Sequence, residues 1–427
     1  MLESDMIDQL RRYGEAVEVA VATRPERAPV RAKVTPVTLR AAAAIFVAVA
    51  IAGAALALRR DASEVGSPEI TTDSAGGGGT WETFPAAPIP SRIRSAAVVA
   101  TDDELVVWGG WEQLEGTVAT GAALSFDDLT WRTLAPSPLE QRQSPVAVWT
   151  GDELVVWGGF DDEAPGGPDL FDGATYDPAT DTWRALPATA WGAQKGRTGA
   201  VWTGEELVLT GVIPGPGAEL ASDTYALDPD TGQWRPLTRS PATTSEGEVT
   251  AAWTGDMVAV VSVRADGGPV TIDRLDPSGD GTWSETVTTD LTDAEAVNVG
   301  QQLVLVQRGE WDGPDSPPQV VAARLFDTTT GDMSTVPPPG TTGGSELGDL
   351  PLTTVGGVVV AGGVYLDVET RTWHAMADSI LPTREEASAA ASGDRLYVWG
   401  GDECGELCGS GTDIAMTDPG EGLAWHR

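Results

Sequence analysis

The feature that most constrains this fold is a unit of about fifty residues that recurs along most of the chain. The stretch "VWTGDELVVWGG" at 148–159 has near copies ending at Gly110 and Gly401, and weaker copies at 201–211 and 252–261. One slot of the unit holds tryptophan in all but one copy. Seven intervals of 50, 52, 51, 49, 50, 40 and 52 residues separate its occupants, which are Trp81, Trp131, Trp183, Trp234, Trp283, Met333, Trp373 and Trp425. These intervals indicate seven copies of one supersecondary unit.

Each unit predicts four short strands. In the second copy they are "SPVAVWT", "ELVVWGG", "GATYDP" and "TWRAL", whose apolar positions are mostly β-branched or aromatic. The sequence "TGDE" predicts a tight hairpin with glycine at positive φ, and "DPATD" predicts a turn in which aspartate binds its own backbone. No long helical pattern follows residue 80. Four antiparallel strands repeated radially predict an all-β protein, a seven-bladed β-propeller in which neighbouring sheets bury each other's faces.

The repeat resembles the kelch family, in which a hydrophobic run and a Gly-Gly pair precede an aromatic residue and then a tryptophan. The second copy has Val155-Val156-Trp157-Gly158-Gly159, then Tyr176 and Trp183. Other copies match less completely, and the resemblance covers about residues 81–427. It implies a kelch-like propeller and leaves function open, because kelch propellers serve as binding scaffolds, sugar-modifying enzymes and copper oxidases. Partial matches in other copies are Gly109-Gly110 before Phe126 and Trp131, Gly362-Gly363 before Leu366 and Trp373, and Gly400-Gly401 before Thr417 and Trp425.

The two ends of the repeat region compete for one position in the ring. Trp81–Phe84 and Leu423–Arg427 both match the outer-strand slot of the last blade. We expect the N-terminal segment to be the outermost strand, because the chain stops two residues after Trp425. The short interval before Trp373 is where a six-bladed ring would arise instead.

The N-terminal sixty residues have a different character. The run "AAAAIFVAVAIAGAALAL" at 41–58 carries no polar side chain, and as a helix it extends about 27 Å, close to the hydrocarbon thickness of a bilayer. Basic residues are more frequent before it than after it, so the N-terminus is expected in the cytoplasm and the remainder outside. The predicted domains are a tail (1–40), a transmembrane helix (41–60), a flexible linker (61–80) and the propeller (81–427). The alternative is a cleaved signal peptide, because Ala55–Ala57 fits a cleavage site.

The charge excludes one class of partner. The formal net charge is −38, and residues after 60 contribute −41. An acidic surface repels phosphate backbones, so we expect no nucleic-acid partner and a soluble, monomeric propeller. The expected partner is a protein or a glycan at the cell surface, and the expected membrane contact is through residues 41–60.

No cofactor or metal is expected. Enzymes similar to galactose oxidase need two histidines, two tyrosines and a cross-linked cysteine at copper, whereas this chain has only His374 and His426, each placed on a predicted outermost strand. The acidic loop 160–172 does not have the EF-hand spacing. Cys404 and Cys408, the only cysteines, are expected to form a small disulfide loop outside the membrane.

Five arginines recur near the start of the innermost strands. Arg142 and Arg384 lie sixteen residues before their Gly pairs, Arg92 lies seventeen before Gly109, and Arg94 and Arg197 lie about two residues further along. We expect them to ring the mouth of the central channel and to bind an anionic ligand. The alternative is that each arginine pairs with an acid of a neighbouring blade.

Long loops between the second and third strands are the second candidate binding feature, since variable loops on a rigid scaffold carry recognition. Trp111, Phe160 and Trp311 lie in such loops and are candidates to stack on a sugar or to anchor a peptide. The sequence therefore predicts a membrane-anchored binding scaffold with a protein or glycan ligand. The alternative is a sugar-modifying enzyme similar to the kelch sialic-acid mutarotases.

Overall fold

Each repeat of the sequence folds into one antiparallel sheet, as predicted. In the second repeat the four predicted strands form at Val146–Trp149, Leu154–Trp157, Gly173–Asp177 and Thr182–Leu186. Strand residues are buried where two sheets face each other: Val106 of one sheet packs in the same core cluster as Val156 of the next. The fold of each unit therefore depends on its neighbours.

The structure is a computed structural model, and the residues that it describes lie between 78 and 426. The gaps within this range are 91, 113–115, 165–166, 190–191, 194–196, 214–220, 242–246, 285, 310–318, 340–349, 378–383, 386 and 404–421. The predicted tail and transmembrane helix lie outside the described residues, as do Trp311 and both cysteines.

The strands of the first half, in chain order, are β1 (Thr80–Phe84), β2 (Ala97–Ala100), β3 (Glu104–Trp108), β4 (Trp111–Glu112), β5 (Gly116–Thr117), β6 (Gly121–Ser125), β7 (Trp131–Thr133), β8 (Val146–Trp149), β9 (Leu154–Trp157), β10 (Gly173–Asp177), β11 (Thr182–Leu186), β12 (Thr198–Trp202), β13 (Leu207–Ile213), β14 (Ala221–Asp228) and β15 (Gln233–Pro236).

The strands of the second half are β16 (Gly247–Trp253), β17 (Val258–Arg264), β18 (Thr271–Asp276), β19 (Thr282–Trp283), β20 (Val287–Thr288), β21 (Glu295–Val299), β22 (Gln302–Arg308), β23 (Val320–Asp327), β24 (Met333–Val336), β25 (Thr353–Val355), β26 (Val358–Ala361), β27 (Val364–Asp367), β28 (Thr372–Ala375), β29 (Arg384–Glu385), β30 (Ser388–Ser392), β31 (Arg395–Trp399), β32 (Asp402–Glu403) and β33 (Gly422–His426).

The described strands form seven blades, so the predicted seven-bladed β-propeller is confirmed. The first strand of each blade contacts the first strand of the next around a closed ring, which places these strands at the axis. From the axis outward, blades 1 to 7 are β2-β3-β6-β7, β8-β9-β10-β11, β12-β13-β14-β15, β16-β17-β18-β19 with β20 beside β18, β21-β22-β23-β24, β25-β26-β27-β28 and β30-β31-β33-β1.

The ring closes through the predicted pairing of the two chain ends. β1 pairs with β33, which pairs with β31, so the N-terminal segment is the outermost strand of blade 7 as expected. The pairing begins before the expected boundary at residue 81, because β1 starts at Thr80 and Gly78 N–H donates to Ala375 O at 2.9 Å.

One strand assignment from the sequence is wrong. His426 was expected on an outermost strand, but it lies with Trp425 in β33, the third strand of blade 7. The cause is β1, which covers them on the outside. Trp425 is consequently fully buried, and His426 lies 2.8 Å from the carboxylate of Glu82 in β1.

Blade 6 explains the interval of only 40 residues. In that blade Gly362 and Gly363 form the whole connection between β26 and β27. In blades 1 and 2 the corresponding glycines begin a long loop instead. The unit is shorter because this loop is missing, and the blade count is unaffected.

The recurring tryptophan connects neighbouring blades. Trp183 Nε1–H on the outer strand of blade 2 donates to Ala135 O, which follows the outer strand of blade 1, at 3.0 Å. Trp131, Trp283 and Trp81 make the same bond to the preceding blade, with Pro85 O, Thr238 O and Ala377 O. The tryptophan that recurs about every fifty residues therefore marks an outer strand and, in these four blades, a hydrogen bond between blades.

Candidate binding site on the loop face

Two kinds of loop meet at one end of the propeller, which we call the loop face. They are the lead-in segments, which precede the innermost strands, and the long loops between second and third strands. The turns between first and second strands form the opposite hairpin face. The "TGDE" turn has the predicted geometry there: Gly151 has φ +107° and Thr150 Oγ1 accepts from Glu153 N–H at 2.9 Å.

The Gly pairs hold the loop face together. Both members have positive φ in blades 1, 2 and 7, a conformation in which a side chain is strained. The second glycine of each pair donates its N–H to the next lead-in segment: Gly110 to Arg142 O, Gly159 to Ala193 O and Gly401 to Ile93 O. A Cβ on Gly158 would lie 2.2 Å from Ala193 O, so no side chain fits there.

The five candidate arginines do not share one position of the lead-in segment. Arg142 corresponds to Ile93, because each carbonyl accepts from the second glycine of the preceding blade. The residue after each Gly pair bridges the lead-in segment: Trp111 bridges Arg94, and in blade 7 the equivalent Asp402 bridges Glu385. Glu385 therefore corresponds to Arg94. Arg384, one residue earlier, corresponds to Arg142. Side chains one residue apart on an extended segment point to opposite sides. The arginines consequently face different surroundings.

Arg142 is an interior residue. Its side chain is 0% exposed, and its Nη1–H donates to Asp172 Oδ1 at 2.8 Å and to Gly158 O at 3.0 Å. Its Nε–H donates to Glu140 O at 3.0 Å, and the guanidinium lies 5.9 Å from the Trp108 ring centroid. These acceptors all belong to blade 2 and its lead-in segment, whereas the Trp108 ring belongs to blade 1. Arg142 is therefore an internal strut of blade 2, and its acid partner, Asp172, is not on a neighbouring blade as the alternative had it.

Arg94 and Trp111 are two candidates that the structure brings together. Their backbones exchange both hydrogen bonds at 2.9 Å, and the Arg94 guanidinium lies 4.6 Å from the Trp111 ring centroid. Trp111 begins the small β4–β5 hairpin, and both side chains are half-buried. The cation–π contact orders the two side chains before any ligand arrives.

Phe160 occupies the equivalent position in blade 2, but beside a glutamine. Its backbone exchanges hydrogen bonds with Gln143 at 2.9 and 3.1 Å, and it also bridges Asp169. The loops of blades 1 and 2 are joined through Thr117 Oγ1, which donates to Asp162 Oδ1 at 2.9 Å. These loops therefore form a connected platform beside the axis.

The other candidate residues lie elsewhere in the lead-in segments or outside the described residues. Arg92 and Arg197 are half-buried in their lead-in segments, and Arg384 belongs to the short β29–β32 pair over blade 7. Trp311, Cys404 and Cys408 lie outside the described residues, so their predicted roles stay predictions.

A cavity of about 400 Å³ occupies the axis beneath the loop face. Its described lining comes mainly from the starts of β2, β8, β12, β16 and β21, and is made of small residues such as Ala97, Val146 and Gly199. None of the five candidate arginines is among the described lining residues. The charged groups there are the carboxylates of Glu248 and Glu295.

The two carboxylates have different surroundings. Glu295 Oε1 is 3.0 Å from Arg308 Nη2, and Glu295 Oε2 accepts from Leu352 N–H at 2.8 Å. Glu248 is faced by carboxylates: desolvation, then Asp293 and Glu295, raise the pKa of its side chain above the usual range. Glu295 is therefore neutralised by a cation, whereas no cation of the described residues is paired with Glu248.

The sequence analysis missed both glutamates. The available signal was a charged residue inside an innermost strand: Glu295 occupies the strand position that Ala97, Val146 and Gly199 hold in blades 1 to 3. That signal is recognisable only when the strand register is known. In a sequence with 64 acidic residues, two glutamates do not stand out by themselves.

The described residues contain neither a metal-binding cluster nor a membrane-spanning helix. No group of three or more His, Cys, Asp or Glu side chains in the described part of the chain is arranged to hold a metal ion. Between residues 78 and 426, as far as they are described, no helix is long and apolar enough to cross a bilayer.

Comparison with known proteins adds no relative. No protein-family model matches this chain, and no curated protein matches it at a significant level.

Proposed function

We propose that this protein is a membrane-anchored binding scaffold of the kelch type, whose loop face recognises a protein or a glycan. The observation that carries the proposal is the platform formed by the loops of blades 1 and 2, with the Arg94–Trp111 pair at its edge. A rigid ring that presents ordered loops, with an aromatic ring and a guanidinium in contact, suits recognition. The propeller acts as a monomer.

The proposed location follows from the sequence pattern. Residues 41–60 anchor the chain, residues 1–40 lie in the cytoplasm, and the propeller lies outside the cell. Protease added to intact cells should cut near 61–77 and release a propeller that stays folded. A propeller protected from the protease would contradict this orientation, and a mature chain that begins near Leu58 would show that the segment is a cleaved signal.

The binding proposal is tested with the full chain in detergent micelles, applied to a glycan array and to an immobilised peptide library. We expect concentration-dependent binding to one class of probe. The double variant R94A/W111A should weaken it at least tenfold. The control D102A/D152A removes two exposed carboxylates from the turns of the hairpin face and should bind like the wild type.

The melting temperature separates a binding effect from a folding effect. If R94A/W111A also melts early, R94K/W111F keeps the cation and an aromatic ring and should recover part of the binding. Binding that R94A/W111A leaves unchanged, or no binding to either class of probe, would contradict the proposal.

The second candidate is an enzyme that acts on a sugar. Glu248 favours it, because a carboxyl group with a raised pKa beside an axial cavity is suited to proton exchange. An anomerisation assay by NMR on neutral and acidic sugars tests it. Catalysis that is lost in E248Q would support the enzyme, and the absence of any anomerisation above the buffer rate would exclude it for those sugars.

A further inference from the structure

The axial cavity has a lining that selects for the chemistry of its occupant. Most of its described wall is made of alanine, valine, glycine and leucine side chains, with the hydroxyls of Thr198 and Thr250 among them. A concave wall in which small apolar side chains alternate with a few placed polar groups suits a small molecule that carries both kinds of surface. The volume of about 400 Å³ is sufficient for a sugar or a lysine side chain.

One charge in this cavity has no counterion among the residues that the structure describes. The carboxylate of Glu248 forms neither a hydrogen bond nor an ion pair with any described residue, and it is exposed to the water of the cavity. The charged groups that act on it are Asp293 and Glu295, and both raise its pKa. Arg308, the nearest described cation to Glu295, is engaged by that carboxylate and by Leu350 O at 2.6 Å.

We propose that the axial cavity binds an organic ammonium group, with Glu248 as its counterion and the small apolar side chains around the ligand's carbon skeleton. An ammonium donates up to three hydrogen bonds, which the Glu248 carboxylate and the threonine hydroxyls accept. It also relieves the repulsion among Glu248, Asp293 and Glu295. The net charge of −38 attracts such a ligand toward the protein.

Other cations fit the cavity less well. A divalent metal ion needs six or more oxygen ligands, whereas Glu295 is already engaged by Arg308 and Glu248 is the one other carboxylate among the described lining residues. An anionic ligand would face Glu248 and Glu295 directly. This inference is independent of the Arg94–Trp111 platform. The arginines suggested an anionic ligand at the axis, whereas the ligand proposed here is a cation.

The test compares charged and neutral probes of the same shape on the full chain by isothermal titration calorimetry. Glucosamine is compared with glucose, and a lysine tripeptide is compared with the same peptide acetylated on Nζ. We expect at least tenfold tighter binding of the amine in one pair, and weaker binding of that amine as salt rises. The pair that shows the effect identifies the source of the ammonium, a free amine or a peptide side chain.

Two variants assign the effect to the cavity. E248Q keeps the shape of the side chain and should weaken amine binding at least tenfold. E205Q removes the same charge from an exposed turn of the hairpin face and should bind like the wild type. R94A/W111A should also leave amine binding unchanged, which separates this site from the platform.

Three outcomes would overturn the inference. The first is equal binding of the charged and neutral probes. The second is no binding of either amine at concentrations up to about 10 mM, the range of weak complexes. The third is equal weakening of amine binding by E248Q and E205Q. The melting temperature of E248Q checks that the variant is folded. We expect it to be unchanged or raised, because the substitution removes a repelled charge.

Discussion

Arg142 shows how strongly the surroundings of one residue determine its role. Its guanidinium is the largest charged group buried in the described core, and it binds Asp172, Gly158 O and Glu140 O of blade 2 and its lead-in segment. The Trp108 ring of blade 1 lies against it. The sequence marked it as a ligand-binding candidate because it recurs at one distance from a Gly pair. Its burial assigns it to the interior of the fold.

The first prediction is that R142A unfolds more easily by about 3 kcal/mol. Removal leaves a void beside Trp108 and three carbonyl oxygens, those of Glu140, Gly158 and Asp172, without their donor. Each buried acceptor that loses its partner costs about 1–3 kcal/mol. R184A is the matched control, because the Arg184–Glu153 pair is largely exposed and should be worth less than about 1 kcal/mol. Urea unfolding measures both. Equal losses would show that burial of Arg142 has no energetic consequence.

Asp273 is a second residue whose environment opposes its charge. It lies in β18 with 0% exposure, it accepts one hydrogen bond from Thr286 Oγ1, and its Oδ2 atom has no partner among the described residues. Burial raises the pKa of this carboxyl group. Because the folded-state pKa is above the unfolded value, the protonated form stabilises the fold at low pH, and this stabilisation is lost as pH rises through the folded pKa.

The second prediction follows from this sign. Between pH 4 and pH 7, D273N should gain about 1 to 2 kcal/mol of stability relative to the wild type, because asparagine does not ionise. D276N provides the opposite control, since hydrogen bonds from Ser278 lower the pKa of Asp276. D276N should be less stable than the wild type by a nearly constant amount between pH 4 and pH 7, and this difference should shrink below pH 4, where Asp276 of the wild type becomes protonated. Unfolding curves at several pH values measure both, and parallel pH profiles for D273N and wild type would disprove the assignment.

At the scale of the element, the outer strand of blades 1, 2, 4 and 7 is held by one tryptophan and its hydrogen bond to the preceding blade. Trp183 Nε1 has this bond and its ring lies 5.6 Å from the Trp108 ring of blade 1. Trp373 in blade 6 has the same position in the repeat, but its Nε1 is buried without an acceptor in the described residues. The two tryptophans form a natural comparison.

The third prediction concerns this pair. W183F should destabilise the protein by about 1 kcal/mol more than W373F, because only Trp183 loses a hydrogen bond to a neighbouring blade. Both substitutions remove a similar volume, so the difference reports the bond. Thermal and urea unfolding of the two variants provide the measurement. A W373F variant that is the less stable of the two would contradict the role of the bond.

At the scale of the whole molecule, closure of the ring depends on β1. Its residue Phe84 is 1% exposed and packs near Trp131 of blade 1 and Tyr397 of blade 7. β1 also covers β33, so both ends of the chain are needed to complete blade 7. A propeller without β1 exposes an unpaired strand edge and opens the contact between the first and last blades.

The fourth prediction compares two truncations. A chain that lacks residues 1–84 should lose cooperative unfolding, since burial of Phe84 alone is worth about 3–5 kcal/mol. A chain that lacks residues 1–72 keeps all of β1 and should melt at the temperature of the full chain. Calorimetry and limited proteolysis distinguish the two. Cooperative melting of the shorter chain at an unchanged temperature would show that β33 closes the ring alone.

The repeat by itself determines the architecture. The spacing of the tryptophans predicts seven units, the alternation in "ELVVW" predicts strands, and "TGDE" predicts the hairpin turn, because these features depend on local backbone preference and a side-chain period of two. The pairing of the two ends of the repeat region in one blade also follows from sequence, since Trp81–Phe84 and Leu423–Arg427 both match the same slot of the repeat. These predictions concern backbone and burial, which sequence encodes locally.

The tertiary structure decided which side chains share a surface. A shift of one residue in the lead-in segments separates the position of Arg94 from that of Arg142, and this shift depends on hydrogen bonds between blades. Glu248 and Glu295 meet at the axis only because the ring places β16 beside β21. Distances between residues of different blades arise from ring closure, so the sequence predicted the scaffold, and the fold placed an unneutralised carboxylate in the axial cavity.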